Sequence, residues 1–183
     1  MYRGKNPTAL ASQRMLLDAL NALLKEKEFK DISISELCNH SGVSRQTFYS
    51  LFGSKENILL YQLDVINDTK PESHPADNSA MRLDDMCERY ARYVTSNYSL
   101  LKKLIENELA EVLFQQFYRA MSSCAQSFVN LTDEDREYAA LFMSSGLCRL
   151  TQKYINEHKK PDKSELERIS YTIMSGNIYR IDG

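Results

Sequence analysis

The eight residues from Ser44 to Leu51 include an arginine, a glutamine, a threonine, a tyrosine and two serines. At helical spacing Phe48, Leu51 and Phe52 share one side, which leaves Arg45, Gln46, Thr47, Tyr49 and Ser50 to point away from it. Arginine and glutamine make bidentate contacts to guanine and adenine edges. Threonine, tyrosine and serine hydroxyls donate to phosphates, and the start of a helix favours an anion. The chemistry these residues offer is the reading and gripping of duplex DNA. With the flanking capping serines and a nearby lysine, the candidate DNA-binding set is Ser33, Ser44, Arg45, Gln46, Thr47, Tyr49, Ser50 and Lys55.

Such a face needs a frame, and the neighbouring sequence spells one out. Ser33 and Glu36 have capping-box spacing, which starts a helix with Ile34, Leu37 and Cys38 on its apolar side. Ser41-Gly42 ends it in a sharp turn, Val43 plugs inward, and Ser44 caps the second helix. Ser54 can cap a third from Lys55, tied to the core by Ile58, Leu59, Leu63 and Ile66. Ahead of all these, Pro7-Thr8 opens a helix expected to run to about Lys27, with Leu10, Leu16, Leu17, Leu20, Leu23 and Leu24 on its core side. Arg3 and Lys5 precede it on an unstructured start, in the manner of flexible basic arms that touch DNA.

The run from Gly42 to Leu59, GVSRQTFYSLFGSKENIL, resembles the helix-turn-helix of the tetracycline-repressor (TetR) family of transcription regulators, G-V-S-x-x-T-x-Y-x-x-F-x-x-K-x-x-L, without a gap. Phe29 and the amphipathic helix before the run fit as well. Glu28 stands where that family usually has glycine, and Leu51 where it often has histidine. The resemblance covers the first third of the chain. It implies that Lys55 reaches a phosphate, that the protein is a homodimer on double-stranded operator DNA, and that it acts as a repressor relieved by a small-molecule effector. A transcriptional activator, or a helix-turn-helix adaptor controlled by a protein partner without a small-molecule ligand, is the alternative.

The 183 residues, 43% apolar and 26% charged, are those of an ordinary globular protein with room for one or two small domains. The charge is uneven: through Leu63 there are 8 Lys and Arg against 6 Asp and Glu, and beyond it 15 against 19. A mildly basic head on an acidic body suits a protein that must let DNA go. Cys38, Cys87, Cys124 and Cys148 are far apart and fall on apolar stripes, so they read as small buried hydrophobes. With His40, His74 and His158 scattered, neither a metal nor a cofactor is expected. There is no nucleophile elbow, phosphate-cradling glycine loop or histidine-carboxylate cluster, which excludes the common enzyme classes. No apolar signal core or stretch of about 20 apolar residues occurs, and a cytoplasmic location is expected.

The fold class follows as all-α. Residues 1–68 form a three-helix DNA-binding domain with its connecting helix, and the polar, two-proline stretch 69–79 is a linker. Residues 80–183 form an all-helical bundle for ligand sensing and dimerisation. There Leu83, Met86, Cys87, Tyr90, Tyr93 and Val94 recur at helical spacing, followed by a short helix from Tyr98 to Ile105 and a longer one from Leu109 to Val129. Thr132 caps an acidic first turn, and Tyr138 to Leu150 is apolar or small almost all round. Ser164 and Glu167 suggest another capping box, before two apolar stripes that reach Ile178. Two double-faced helices at the end of a small domain suggest a four-helix interface between two copies. Tyr90, Tyr93, Phe114, Phe117, Tyr118, Met121 and Met143 are more aromatic and thioether-rich than a plain core requires. They are the candidate lining of a largely apolar effector pocket, which a larger side chain at Ala125 would fill.

Overall fold

The structure, a computed structural model, describes residues 1–68, 82–124, 128–157, 160–176 and 178. The side chain of Ile66, the stretch 69–79 and Ala125 lie outside the described residues. Among those described there are nine α-helices and no strand: α1 Pro7–Leu23, α2 Ile34–Ser41, α3 Arg45–Leu51, α4 Glu56–Asp68, α5 Leu83–Ser96, α6 Tyr98–Glu106, α7 Ala110–Cys124, α8 Asp133–Glu157 and α9 Lys163–Met174. They fall into two units, Met1–Glu72 and Ser73–Gly183.

In the first unit α1 packs on α2, α3 and α4 around Leu16, Leu20, Phe29, Leu37, Phe48, Phe52, Ile58, Leu59 and Leu63, all buried. Asn6 caps α1 by accepting the Thr8 N–H at 2.9 Å, with Pro7 at the first helical position, where its missing N–H costs nothing. The helix stops at Leu23, a turn short of Lys27. Lys25, Glu26 and Lys27 instead bond through tight turns to Ala22 and Leu23, because nothing apolar in that run rewards another helical turn while Phe29 must still be brought into the core. Leu10, expected in the core, is exposed. Burial along α1 begins only at Gln13, so the first turn projects past the elements that cover the rest.

The second unit packs α5 on α9 and α7 on α8, with α6 touching both α7 and α8. Glu88 on α5 receives both Arg92 of its own helix and Lys163 of α9, the latter at 2.6 Å, and these two cations hold its carboxyl below the usual range. Tyr154 ties the end of α8 to the start of α9: its hydroxyl donates to the Asp162 carbonyl at 2.9 Å and accepts the Asp162 N–H at 2.6 Å. The cap of α9 is Asp162, which accepts the Glu165 N–H at 3.1 Å, and Ser164 sits inside the first turn. That corrects the expected start by two residues. α7 ends at Cys124, so Phe128 and Val129 lie beyond the helix that was expected to carry them. Cys38, Cys87 and Cys148 are buried, and burial pushes their thiols up, whereas Cys124 is only half-buried.

Candidate nucleic-acid interface

α2 and α3 are set by their ends. The Ser33 hydroxyl accepts the Glu36 N–H at 3.1 Å, and the Glu36 carboxylate takes the Ser33 N–H and the Lys27 ammonium, the latter at 2.5 Å. The Lys27 bond, ahead of its partial desolvation, holds the Glu36 carboxyl below its ordinary value and raises Lys27. Gly42 closes α2 at φ 69°, the left-handed backbone that side chains with a Cβ resist. Val43 is buried directly after it. Ser44 accepts the Thr47 N–H at 3.1 Å and opens α3.

α3 then divides as its pattern requires. Phe48, Leu51 and Phe52 are buried, and Arg45, Gln46, Tyr49 and Ser50 are exposed together on the other side. Arg45 reaches back to α2, donating from Nη1 to the Ser35 hydroxyl at 3.3 Å. Ser35 was not among the expected contacts. Its place on the outer face of α2, two residues after the capping Ser33, was the available signal. Ser33 and Ser44 are exposed but already serve as caps, each accepting a backbone N–H. Thr47, expected to face outward, is half-buried, its hydroxyl 2.8 Å from that of Ser44, where it braces the cap.

Lys55 is placed differently from the role implied for it. Its ammonium donates to the carbonyl of Phe29 at 2.9 Å and to that of Ile32, and lies 4.5 Å over the Phe29 ring. It closes the 3₁₀ turn Phe29–Asp31 and the strand-like step before α2, a use of the cation inside the domain. The amino-terminal stretch is tied at two points: Tyr2 donates its N–H to the Leu51 carbonyl at 2.6 Å, and Arg3 lies 3.8 Å from Asp64.

The proposed effector residues are partly brought together. Tyr90 and Tyr93 of α5 meet Phe117 of α7 at ring separations of 5.8 and 5.7 Å. Tyr90 is buried, and its hydroxyl is bonded to Thr151 of α8 at 2.9 Å, a partner that the sequence pattern does not reveal; burial raises this phenol well above its usual range. Phe114 and Tyr118 stack on each other at 5.9 Å, Met121 is buried, and Met143 is half-buried. Among the described residues no group of His, Cys, Asp or Glu could hold a metal ion, and no helix is long and apolar enough to cross a membrane.

Comparison with known proteins agrees with this geometry. Residues 16–61 match the family described as bacterial regulatory proteins, tetR family, and residues 82–176 match a transcriptional regulator C-terminal region. Over 82 residues the chain is 35% identical to the HTH-type transcriptional regulator EthR of Mycolicibacterium smegmatis, covering 41% of this chain but only 38% of that relative. Its fold is similar to that of Lin0861 from Listeria innocua (TM-score 0.72, 14% identity, 97% of this chain and 95% of that one). It is also similar to that of a TetR transcriptional regulator from Rhodococcus sp. RHA1 (TM-score 0.55, 20% identity, 95% and 100%). A capped, polar-faced α3 behind a glycine turn, in an all-helical chain matched by both family regions, places this protein in the tetR family of bacterial regulatory proteins, the DNA-binding transcription regulators.

Proposed function

We propose that the protein is a homodimeric repressor that binds a pseudo-palindromic operator through α3 and releases it when a small, largely apolar effector enters the second unit. The observation that carries the DNA reading is the clustering of Arg45, Gln46, Tyr49 and Ser50 on the exposed side of one short helix whose other side is anchored by Phe48 and Phe52. Arg45 and Gln46 read bases, while Tyr49, Ser50 and the two capping serines grip phosphates.

Dimerisation is supported by what α8 and α9 leave uncovered. Ala140, Ser144, Leu147, Cys148, Thr151 and Ile155 form the buried seam of α8, yet Tyr138, Leu141 and Phe142 are exposed beside it, Phe142 at 80%. Tyr171 and Ile173 of α9 and Ile178 beyond it are exposed as well. A second copy that covers these side chains would make both helices double-faced, as their composition asks. For the effector, support comes from the Tyr90, Tyr93 and Phe117 cluster, whose rings offer apolar surface beside two phenol hydroxyls, that of Tyr90 bonded to Thr151. Such a ligand relieves repression only by preferring the arrangement that fits DNA worse, a coupling of roughly 1–3 kcal/mol being typical.

Selection from a pool of random duplexes tests the reading. The expected outcome is enrichment of a two-fold symmetric sequence with half-sites about 34 Å or a multiple apart, one turn of DNA. Failure of the wild-type protein to enrich any sequence would remove the proposal.

A further inference from the structure

The first six residues carry an arrangement that neither the helix-turn-helix nor the effector site uses. The Tyr2 N–H donates to the Leu51 carbonyl at the carboxyl end of α3, 2.6 Å away, and the Tyr2 carbonyl accepts from Gln13 Nε2 of α1 at 3.1 Å. The Tyr2 hydroxyl accepts the N–H of Asn6, the residue that caps α1, at 3.2 Å. The chain between them therefore doubles back with the phenol ring lying on Gly4. A Cβ at that glycine would stand 2.2 Å from the Tyr2 hydroxyl oxygen and 2.4 Å from the adjoining ring carbon, so a side chain there pushes the phenol off the Asn6 N–H and loosens the loop. Gln13 is the counterpart on α1. It is 1% exposed among leucines, with its Oε1 unpartnered, and a buried amide in that state is costly unless its N–H side makes the one bond it does make, to Tyr2.

The loop so closed ties the residue directly before a cation to the end of α3. Arg3 follows Tyr2 directly, about 3.8 Å along the chain, and its side chain is 66% exposed. Its contact with Asp64 is long, 3.8 Å, and engages a largely exposed guanidinium, the kind of pair that contributes little. The carboxyl end of a helix carries partial negative charge that disfavours phosphate, and the Tyr2 N–H counters it by satisfying the Leu51 carbonyl. We infer that residues 2–6 form a closed strap over the end of α3, in which Tyr2, Gly4 and Gln13 are positioning residues that hold Arg3 as a fixed contact to a DNA phosphate flanking the bases α3 reads. This rests on the DNA-binding reading and adds to it a built, rather than flexible, amino-terminal contact.

Five proteins test it: wild type, Gly4→Ala, Arg3→Ala, the double variant and Arg3→Lys, each on a random-sequence duplex at several salt concentrations, with amide exchange of Tyr2 and Asn6 measured without DNA. Arg3→Ala is expected to reduce the slope of log affinity against log salt by about 0.9 for each phosphate it ceases to neutralise, hence about two for a dimer, and Arg3→Lys to restore it. Gly4→Ala is expected to speed Tyr2 and Asn6 exchange at least tenfold with unchanged melting, and to abolish the further effect of Arg3→Ala on the slope. Equal reductions from Arg3→Ala in both backgrounds, or Tyr2 still protected in Gly4→Ala, overturn the strap. An unchanged slope in Arg3→Ala overturns the phosphate contact while DNA binding stands. Wild-type protein with no affinity for any duplex overturns the DNA reading itself.

Discussion

Lys55 carries a pattern match to a phosphate-binding position, yet its ammonium is committed to the carbonyls of Phe29 and Ile32 and the face of the Phe29 ring. Sequence could not show this, because the carbonyls that need a donor belong to a 3₁₀ turn some two dozen residues earlier. The expected consequence is that Lys55→Met lowers stability by about 1–2 kcal/mol, the scale of charge-assisted bonds that are partly solvated. The salt slope of DNA binding should stay as in wild type. Urea unfolding beside a salt titration decides it, since a true phosphate contact would do the opposite. The Glu36 carboxyl gives a pH signature. Its folded value is depressed below the ordinary 4.5 chiefly by Lys27, so its contribution is complete above 4.5 and is lost as the pH falls through the lowered value. Lys27, raised above 10.5, keeps its share below that pH and loses it on further alkalinisation. The urea midpoint of Glu36→Gln should therefore fall less steeply on acidification below about pH 4.5 than that of wild type. Identical acid limbs would show that the pair does not contribute.

At the scale of elements, helix ends were legible where a capping side chain stood alone and misread where two competed. Ser33, Ser44 and Ser54 each cap as their spacing implies, but Asp162 outcompetes Ser164 because it sits directly before the first helical residue. The link between α6 and α7 had no signal at all. Glu108 takes φ 59° there, with its N–H on Ile105 and the Leu109 N–H on Leu104, a helix end normally given to glycine. Glu108→Gly should raise stability by about 0.5–1 kcal/mol, since relief of left-handed strain exceeds glycine's greater freedom in the unfolded chain; an equal or lower urea midpoint would contradict that. On α8 the small residues Ala139, Ala140, Ser144, Ser145 and Gly146 leave room for a partner helix to approach closely. Gly146 is exposed, and a Cβ there meets nothing within 4 Å of its own chain. Gly146→Arg should accordingly leave the fold of each protomer intact and shift sedimentation from dimer to monomer. A variant that stays dimeric would move the interface elsewhere.

For the whole molecule, the all-helical class, the two units and the exposed polar face of α3 follow from periodicity and capping, which are local. The pairing of α5 with α9 and of α7 with α8, the Tyr90 to Thr151 bond and the strap at Tyr2 join residues far apart in sequence, and no local pattern encodes them. Whether α3 reads bases is decided by a double-mutant cycle on the selected operator. Gln46→Ala and Arg45→Ala are each combined with substitution of every base pair of one half-site, and affinities are measured at fixed salt. A base-reading α3 predicts a coupling of about 1–3 kcal/mol at one or two base pairs for each side chain, with additivity elsewhere. Additivity at every base pair for both side chains would contradict it.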